Sequence, residues 1–217
     1  MGRIRADAAG GTGPNRHAHG FPRLLGARLC LHFANTVESP RDHPEEFLHD
    51  YRDLVRWSRH ASVLSEMEAR ALADRVEQKP EEAASVFARA LKLRAAIDDV
   101  FRTIARSQAP PAAALGTLEN FHREALAASE LVRDGQRYRW SWRGQADLRS
   151  VLWPVVESAI EVLTAGDLTR VKECPGADDC GWLFYDTSRN RSRRWCSMEG
   201  CGSRVKMRRY YARSRSV

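Results

Sequence analysis

Four of the five cysteines in this 217-residue chain fall near its end, as Cys174-x5-Cys180 and Cys196-x4-Cys201. A cysteine sulfur is a soft donor, and two close pairs brought together offer the four thiolates that zinc takes in a tetrahedron. One spacing exceeds the usual two to four intervening residues and the other sits at its upper edge. Buried free thiols, a disulfide or an iron–sulfur cluster are the other uses of such a set. We expect structural Zn2+ on Cys174, Cys180, Cys196 and Cys201, because four protein ligands leave no open position for a water. A four-thiolate zinc centre is formally −2, and Arg193, Arg194 and Arg204 lie beside the ligands in sequence, where they can offset it.

The same segment carries the charge. Residues 170–217 hold 12 Lys/Arg and 5 Asp/Glu, which is the whole net charge of +7; residues 1–169 are balanced at 23 of each. A polyanion is the natural partner of such an end, and a solubilising tail is the alternative. Arg204, Lys206, Arg208, Arg209 and Arg213 lie on an expected helix from about 203 to 212, and Arg189 and Arg191 on the turn before it. A basic helix anchored by zinc fits the DNA major groove, where arginine meets guanine edges and other cations hold phosphates. We expect Val205, Met207 and Tyr211 to face the module, and Trp182, Phe184 and Trp195 to form its small core rather than stack on bases.

The elements that must position these residues follow from pattern. Residues 1–20 lack hydrophobic periodicity and are expected to be disordered; His17 and His19 there are a weak metal pair. Leu29, Leu31 and Phe33 alternate like a strand before an Asn35-Thr36 turn, with a buried helix as the alternative, and Cys30 reads as a small core residue. Ser65 and Glu68 form a capping box for a helix over 65–78, and Pro80 opens a longer one through Ile104. Pro110-Pro111 separates it from a third helix bearing Leu115, Leu118 and Phe121. Asp134-Gly135 is a turn before an alternating Tyr138, Trp140, Trp142 strand. Leu148 to Leu163 reads as a helix that Pro154 either kinks or starts and Gly166 ends. In the cysteine segment, Trp182–Tyr185 is expected to pair with Arg193–Cys196. The fold class is therefore mainly α with a minor β component (α+β), closed by a small treble-clef-like zinc module. The division is 1–20, a mostly helical 21–165, and 166–217.

The run Cys174-Pro-Gly-Ala-Asp-Asp-Cys-Gly-Trp-Leu-Phe-Tyr-Asp-Thr-Ser-Arg-Asn, followed by Arg193-Arg-Trp-Cys-Ser-Met-Glu-Gly-Cys-Gly-Ser-Arg, resembles the CGNR-type zinc finger across about 170–213. The resemblance implies zinc on the same four cysteines. The family's Cys-Gly-Asn-Arg tetrapeptide reads Cys201-Gly202-Ser203-Arg204 here; serine caps a helix through its hydroxyl, whereas any base contact by the asparagine amide would be lost. Upstream, Leu31-His-Phe-Ala-Asn-Thr-Val followed by helices is similar to the ABATE-type domain that precedes this finger. The pair implies a bacterial, stress-induced transcription regulator.

Asp50, Asp53, His32, His43, His49 and His122 form no catalytic spacing, although His43 and Glu46 are close, and no P-loop, dinucleotide glycine motif, HExxH or nucleophile elbow is present. We expect no enzyme. No apolar run is long enough to span a bilayer and no secretory signal opens the chain, so a cytoplasmic location without membrane contact is expected. The expected partner is double-stranded DNA. An RNA- or protein-interaction module stapled by zinc is the alternative. A small-molecule effector near Asn35, Thr36, Trp140 and Trp142 and a homodimer on a palindromic target are further expectations.

Overall fold

The computed structural model describes residues 20–38, 45–142, 147–176 and 180–214. The N-terminal segment with His17 and His19, and His43, lie outside them. Local chemistry sets the helix ends. Ser65 accepts from the Glu68 N–H while the Glu68 carboxylate accepts from the Ser65 N–H, the expected capping box of α3 (Glu66–Gln78). Pro80 starts the 26-residue α4 (Pro80–Ala105), and α5 (Ala112–Ala127) follows Pro111. Pro154 lies in the first turn of α6 (Trp153–Ala165), after a 3-10 turn over Leu148–Leu152, and Gly166 closes it. Between α5 and α6, β3 (Ser129–Asp134) and β4 (Arg137–Trp142) form a hairpin around Gly135, pairing Leu131 with Trp140 and Ser129 with Trp142.

Two N-terminal elements bear on the sequence reading: the first takes its buried-helix alternative and the second is new to it. Leu29–Ala34 is a helix, α1, and not a strand; Cys30, Leu31, Phe33 and Ala34 are all buried among α4, α6 and the C-terminal sheet. Six residues buried nearly all round show neither a 3.6-residue nor a two-residue period. The other is α2 (Tyr51–His60), which was not expected. Asp50 caps it by accepting from the Asp53 N–H, and Tyr51, Leu54, Val55 and Ser58 line its buried side. A short bridge between β1 (Val37–Glu38) and β2 (Glu45–Glu46) leads into it.

The core is centred on α4, which packs against α1, α2, α3 and α5. Leu93, Ile97, Val100 and Phe101 of α4 are fully buried with Phe33 and Trp57, each large side chain contributing about 1.5–3 kcal/mol of burial. This core does not stop at Gly166. It takes in Val171 of β5 (Val171–Glu173) and Leu183 and Tyr185 of β6 (Leu183–Tyr185), which pair antiparallel. Sheet alternation sends Trp182 and Phe184 to a second cluster with the four cysteines. The short strand β6 is thus the wall between two cores. Its partner is β5, not Arg193–Cys196 as the sequence suggested: the hairpin is closed by strands on either side of the Cys174–Cys180 loop. A π turn over Met198–Gly202 then runs into α7 (Ser203–Ser214).

Candidate metal centre

The hairpin brings Cys174 and Cys180 together, and Cys196, just before the π turn, and Cys201, within it, lie opposite them. All four sulfurs lie within 4.8 Å of one another; Cys180 to Cys196 is 3.7 Å and Cys196 to Cys201 is 3.6 Å. Zn–S bonds of 2.3 Å in a tetrahedron require sulfurs about 3.8 Å apart, so the cluster has the size of a four-thiolate zinc site. None of the four is in a disulfide, and all are buried. Hydrogen bonding among the crowded sulfurs holds Cys174 and Cys201 below the ordinary thiol range and pushes Cys180 and Cys196 above it. Four buried sulfurs cannot all ionise without a cation between them, and a divalent metal removes that conflict. When bound, zinc cross-links hairpin and helix. Among the described residues no other group of three or more His, Cys, Asp or Glu side chains converges in this way.

The loops are shaped for the sulfurs. Gly176 has no room for a side chain: a Cβ there would lie 2.8 Å from Cys201 Sγ and 2.9 Å from Cys180 Cβ. Gly181 turns the chain into β6 with φ +63°. The Cys196 N–H points at Cys174 Sγ at 3.3 Å, and Arg204 Nη2 donates to Cys201 Sγ at 3.4 Å. Arg193 donates to the carbonyls of Cys196 (2.5 Å), Trp195 (3.1 Å) and Leu25 (2.8 Å), with its guanidinium 4.5 Å from the Phe184 ring centre. Arg193 and Arg204 therefore serve the metal site, while Arg194 lies over Trp195. Ser203 does not cap α7. Ser197 does so for the π turn, accepting from Gly200 N–H, and the Ser203 hydroxyl donates to the Met198 carbonyl.

Two buried polar residues were not singled out as structural in the sequence. Asp186 accepts from Lys172 Nζ (2.6 Å), the Ser188 amide (2.9 Å) and hydroxyl (2.5 Å), and the Arg193 amide (3.0 Å). Burial alone would raise its pKa, but the Lys172 ammonium and the Ser188 hydrogen bonds hold the carboxyl well below its usual range. It fixes the loop between β6 and Cys196. Asn35 sits in the Leu31–Val37 motif; its Nδ2 donates to the Leu183 carbonyl (2.8 Å) and its Oδ1 accepts from the Leu183 N–H (2.9 Å). The side chain acts as one more backbone partner for β6. Around it, Tyr185 N–H donates to the Gly26 carbonyl, and Arg102 of α4 and Arg106 at its C-cap both grip Glu173 of β5.

The expected nucleic-acid residues fall in different settings. Arg191 pairs with Asp167 (2.9 Å) and donates to Thr169, and Arg204 is turned to the sulfur. Arg189 is exposed on the preceding turn. Lys206, Arg208, Arg209 and Arg213 are exposed on α7, which buries no residue and contacts chiefly the π turn behind it. Met207 and Tyr211, expected to face the module, are exposed; Val205 is half-buried.

The other polar candidates are occupied internally. Asp50 caps α2, Asp53 accepts from the His49 amide and Arg56, and His122 faces Glu157 at 3.2 Å. His32 accepts from the Gly26 amide, and burial lowers its pKa to about 4. Thr36 donates to the Phe33 carbonyl and accepts from Arg94, and the Trp142 indole donates to the Ala125 carbonyl. Trp140 is half-exposed on the hairpin.

Comparison with known families matches residues 27–166 to ABATE, described as "Putative stress-induced transcription regulator", and residues 170–214 to the CGNR zinc finger. No curated protein matches the chain. The first match covers well over half of the chain and the second contains all four clustered cysteines. The chain belongs to the ABATE family and carries a CGNR zinc finger whose Cys174, Cys180, Cys196 and Cys201 form a structural zinc site.

Proposed function

We propose that the protein is a DNA-binding transcription regulator, with α7 as the helix presented to double-stranded DNA. The observation that carries this reading is the state of α7. Its residues 203–214 include five Lys or Arg and no acidic residue. It buries no side chain, and the π turn that leads into it carries the ligand Cys201. A helix of side-chain diameter about 10–12 Å fits a major groove about 12 Å wide. The family description supports regulation. The helical region is left for assembly as a homodimer or for an effector. An all-thiolate zinc site gives water no position from which to be activated, so no catalytic step is assigned.

The test is charge reversal at two exposed sites, Arg208→Glu with Arg209→Glu. Duplex affinity at about 0.15 M salt should fall by two orders of magnitude or more, since two cations are lost from the interface and two carboxylates are set against the phosphate backbone. Unchanged affinity in a folded, zinc-loaded variant would end this mode of binding. Tyr210 and Tyr211, both more than half exposed, favour RNA as the second reading, because aromatic rings stack on unpaired bases. Tighter binding to single-stranded or looped RNA than to duplex DNA would select it.

A further inference from the structure

Helix α7 has two unlike sides. At about 100° per residue, Val205, Lys206, Arg209, Tyr210 and Arg213 fall on one arc, and Arg204, Met207, Arg208 and Tyr211 on the other. The first arc faces Trp195 and Met198, and between them lies a groove of about 370 Å³. Its floor is apolar: Trp195 is half-buried, Val205 is half-buried, and Met198 is 65% exposed. Its rim is cationic. Lys206, Arg209 and Arg213 follow one another at i, i+3 and i+7, one per helical turn, and among the described residues none is in an ion pair. An apolar trough with a cation at every turn matches a sugar–phosphate strand, whose sugars are weakly polar and whose anions repeat along one edge.

The position of the groove strengthens the match. A helix seated in a major groove has a phosphate backbone on each side of it. On the Trp195 side the body of the zinc module stands beside α7, so the strand on that side must run between helix and module. On the second arc Arg204 turns back to Cys201 Sγ, while Met207, Arg208 and Tyr211 are exposed and form the side that can approach base edges.

We infer that the groove between α7 and the Trp195–Met198 wall is a clamp for one DNA backbone strand. Lys206, Arg209 and Arg213 hold successive phosphates, and sequence reading is left to the opposite arc, Arg208 included. This rests on the DNA-binding reading and adds a division of labour within the helix. Backbone contacts position a protein without carrying sequence information.

The experiment measures the slope of log affinity against log salt for zinc-loaded full-length protein on a random-sequence duplex and on its best selected duplex. Each neutralised phosphate contributes a slope of about 0.9. The K206Q/R209Q/R213Q variant should lose about 2.7 of slope, with the same fold-loss of affinity on both duplexes. Arg209→Gln alone should lose about 0.9. R208Q should instead shrink the ratio between the two duplexes. All four positions are exposed, and circular dichroism and zinc content check that folding is intact. An unchanged slope in the triple variant, a loss confined to the selected duplex, or slope loss seen on an RNA duplex and not on DNA would overturn the clamp. Absence of duplex binding by the unaltered protein would instead remove the reading beneath it.

Discussion

Asp186 decides more about the zinc site than its distance from the cysteines in sequence suggests. Its carboxylate is fully buried and satisfied by one ammonium, one hydroxyl and two backbone amides. Lys172, in turn, also donates to the carbonyls of Arg191 and Arg193, holding the left-handed turn at Arg191 (φ 55°) and the approach to Cys196. Asp186→Asn leaves the Lys172 ammonium facing a neutral amide, and we expect a loss of about 3 kcal/mol in urea unfolding at neutral pH. The pH dependence has a fixed sign. The folded-state pKa is depressed below the ordinary 3.8, so the contribution is complete above pH 4 and disappears as pH falls below it. The gap between wild type and Asp186→Asn should therefore narrow from pH 6 to pH 3. A gap that stays constant across that range would show that the ion pair is not its source. Gly176 belongs to the same scale: the position is closed to any Cβ by two ligand side chains.

At the scale of elements, β6 joins the two halves of the chain. Its Leu183 and Tyr185 belong to the large core and its Phe184 to the cysteine cluster. Asn35, at the end of α1, adds two hydrogen bonds to its edge. Asn35→Ala leaves a buried N–H and a buried C=O without partners, and each costs about 1–3 kcal/mol. We expect about 2–4 kcal/mol less stability by chemical denaturation and a faster release of zinc to a chelator. If zinc release were unchanged, Asn35 would not couple the two cores. Much of this architecture was legible beforehand. The capping box at Ser65, the prolines at 80 and 154, and the glycines at 135 and 166 act through local chemistry, so they mark their boundaries wherever the chain folds. The cysteine set was legible because four soft donors so close together have few other uses. What was hidden depends on contacts distant in sequence. α1 is buried nearly all round and shows no period. β5, three residues long, is recognisable only by its partner β6, and Asn35 gave no sign of a bond to a residue 148 positions away. α2 is a different case: Asp50 and the 51/54/55/58 spacing announce a capped amphipathic helix, and the polar residues between masked it.

The whole molecule segregates its labour. Residues 1–169 carry no net charge and 170–217 carry all +7, yet the core runs through both. Zinc bound only by the folded chain stabilises everything that unfolds with its ligands. Chelation should therefore lower the melting temperature read from the helical signal of the entire chain, in one shifted transition, and not only that of the C-terminal segment. An unshifted major helical transition would show that β6 does not link the cores. Among the described residues no helix is long and apolar enough to cross a membrane, and the exposed basic helix remains the part aimed outward. The measurement that bears most directly on that helix is selection from a random double-stranded DNA library by zinc-loaded protein at about 0.15 M salt, with a Cys196→Ser protein in parallel. Enrichment of one motif by the intact protein and none by Cys196→Ser is the expected result. No enrichment by intact, folded, zinc-loaded protein would contradict sequence-specific DNA recognition.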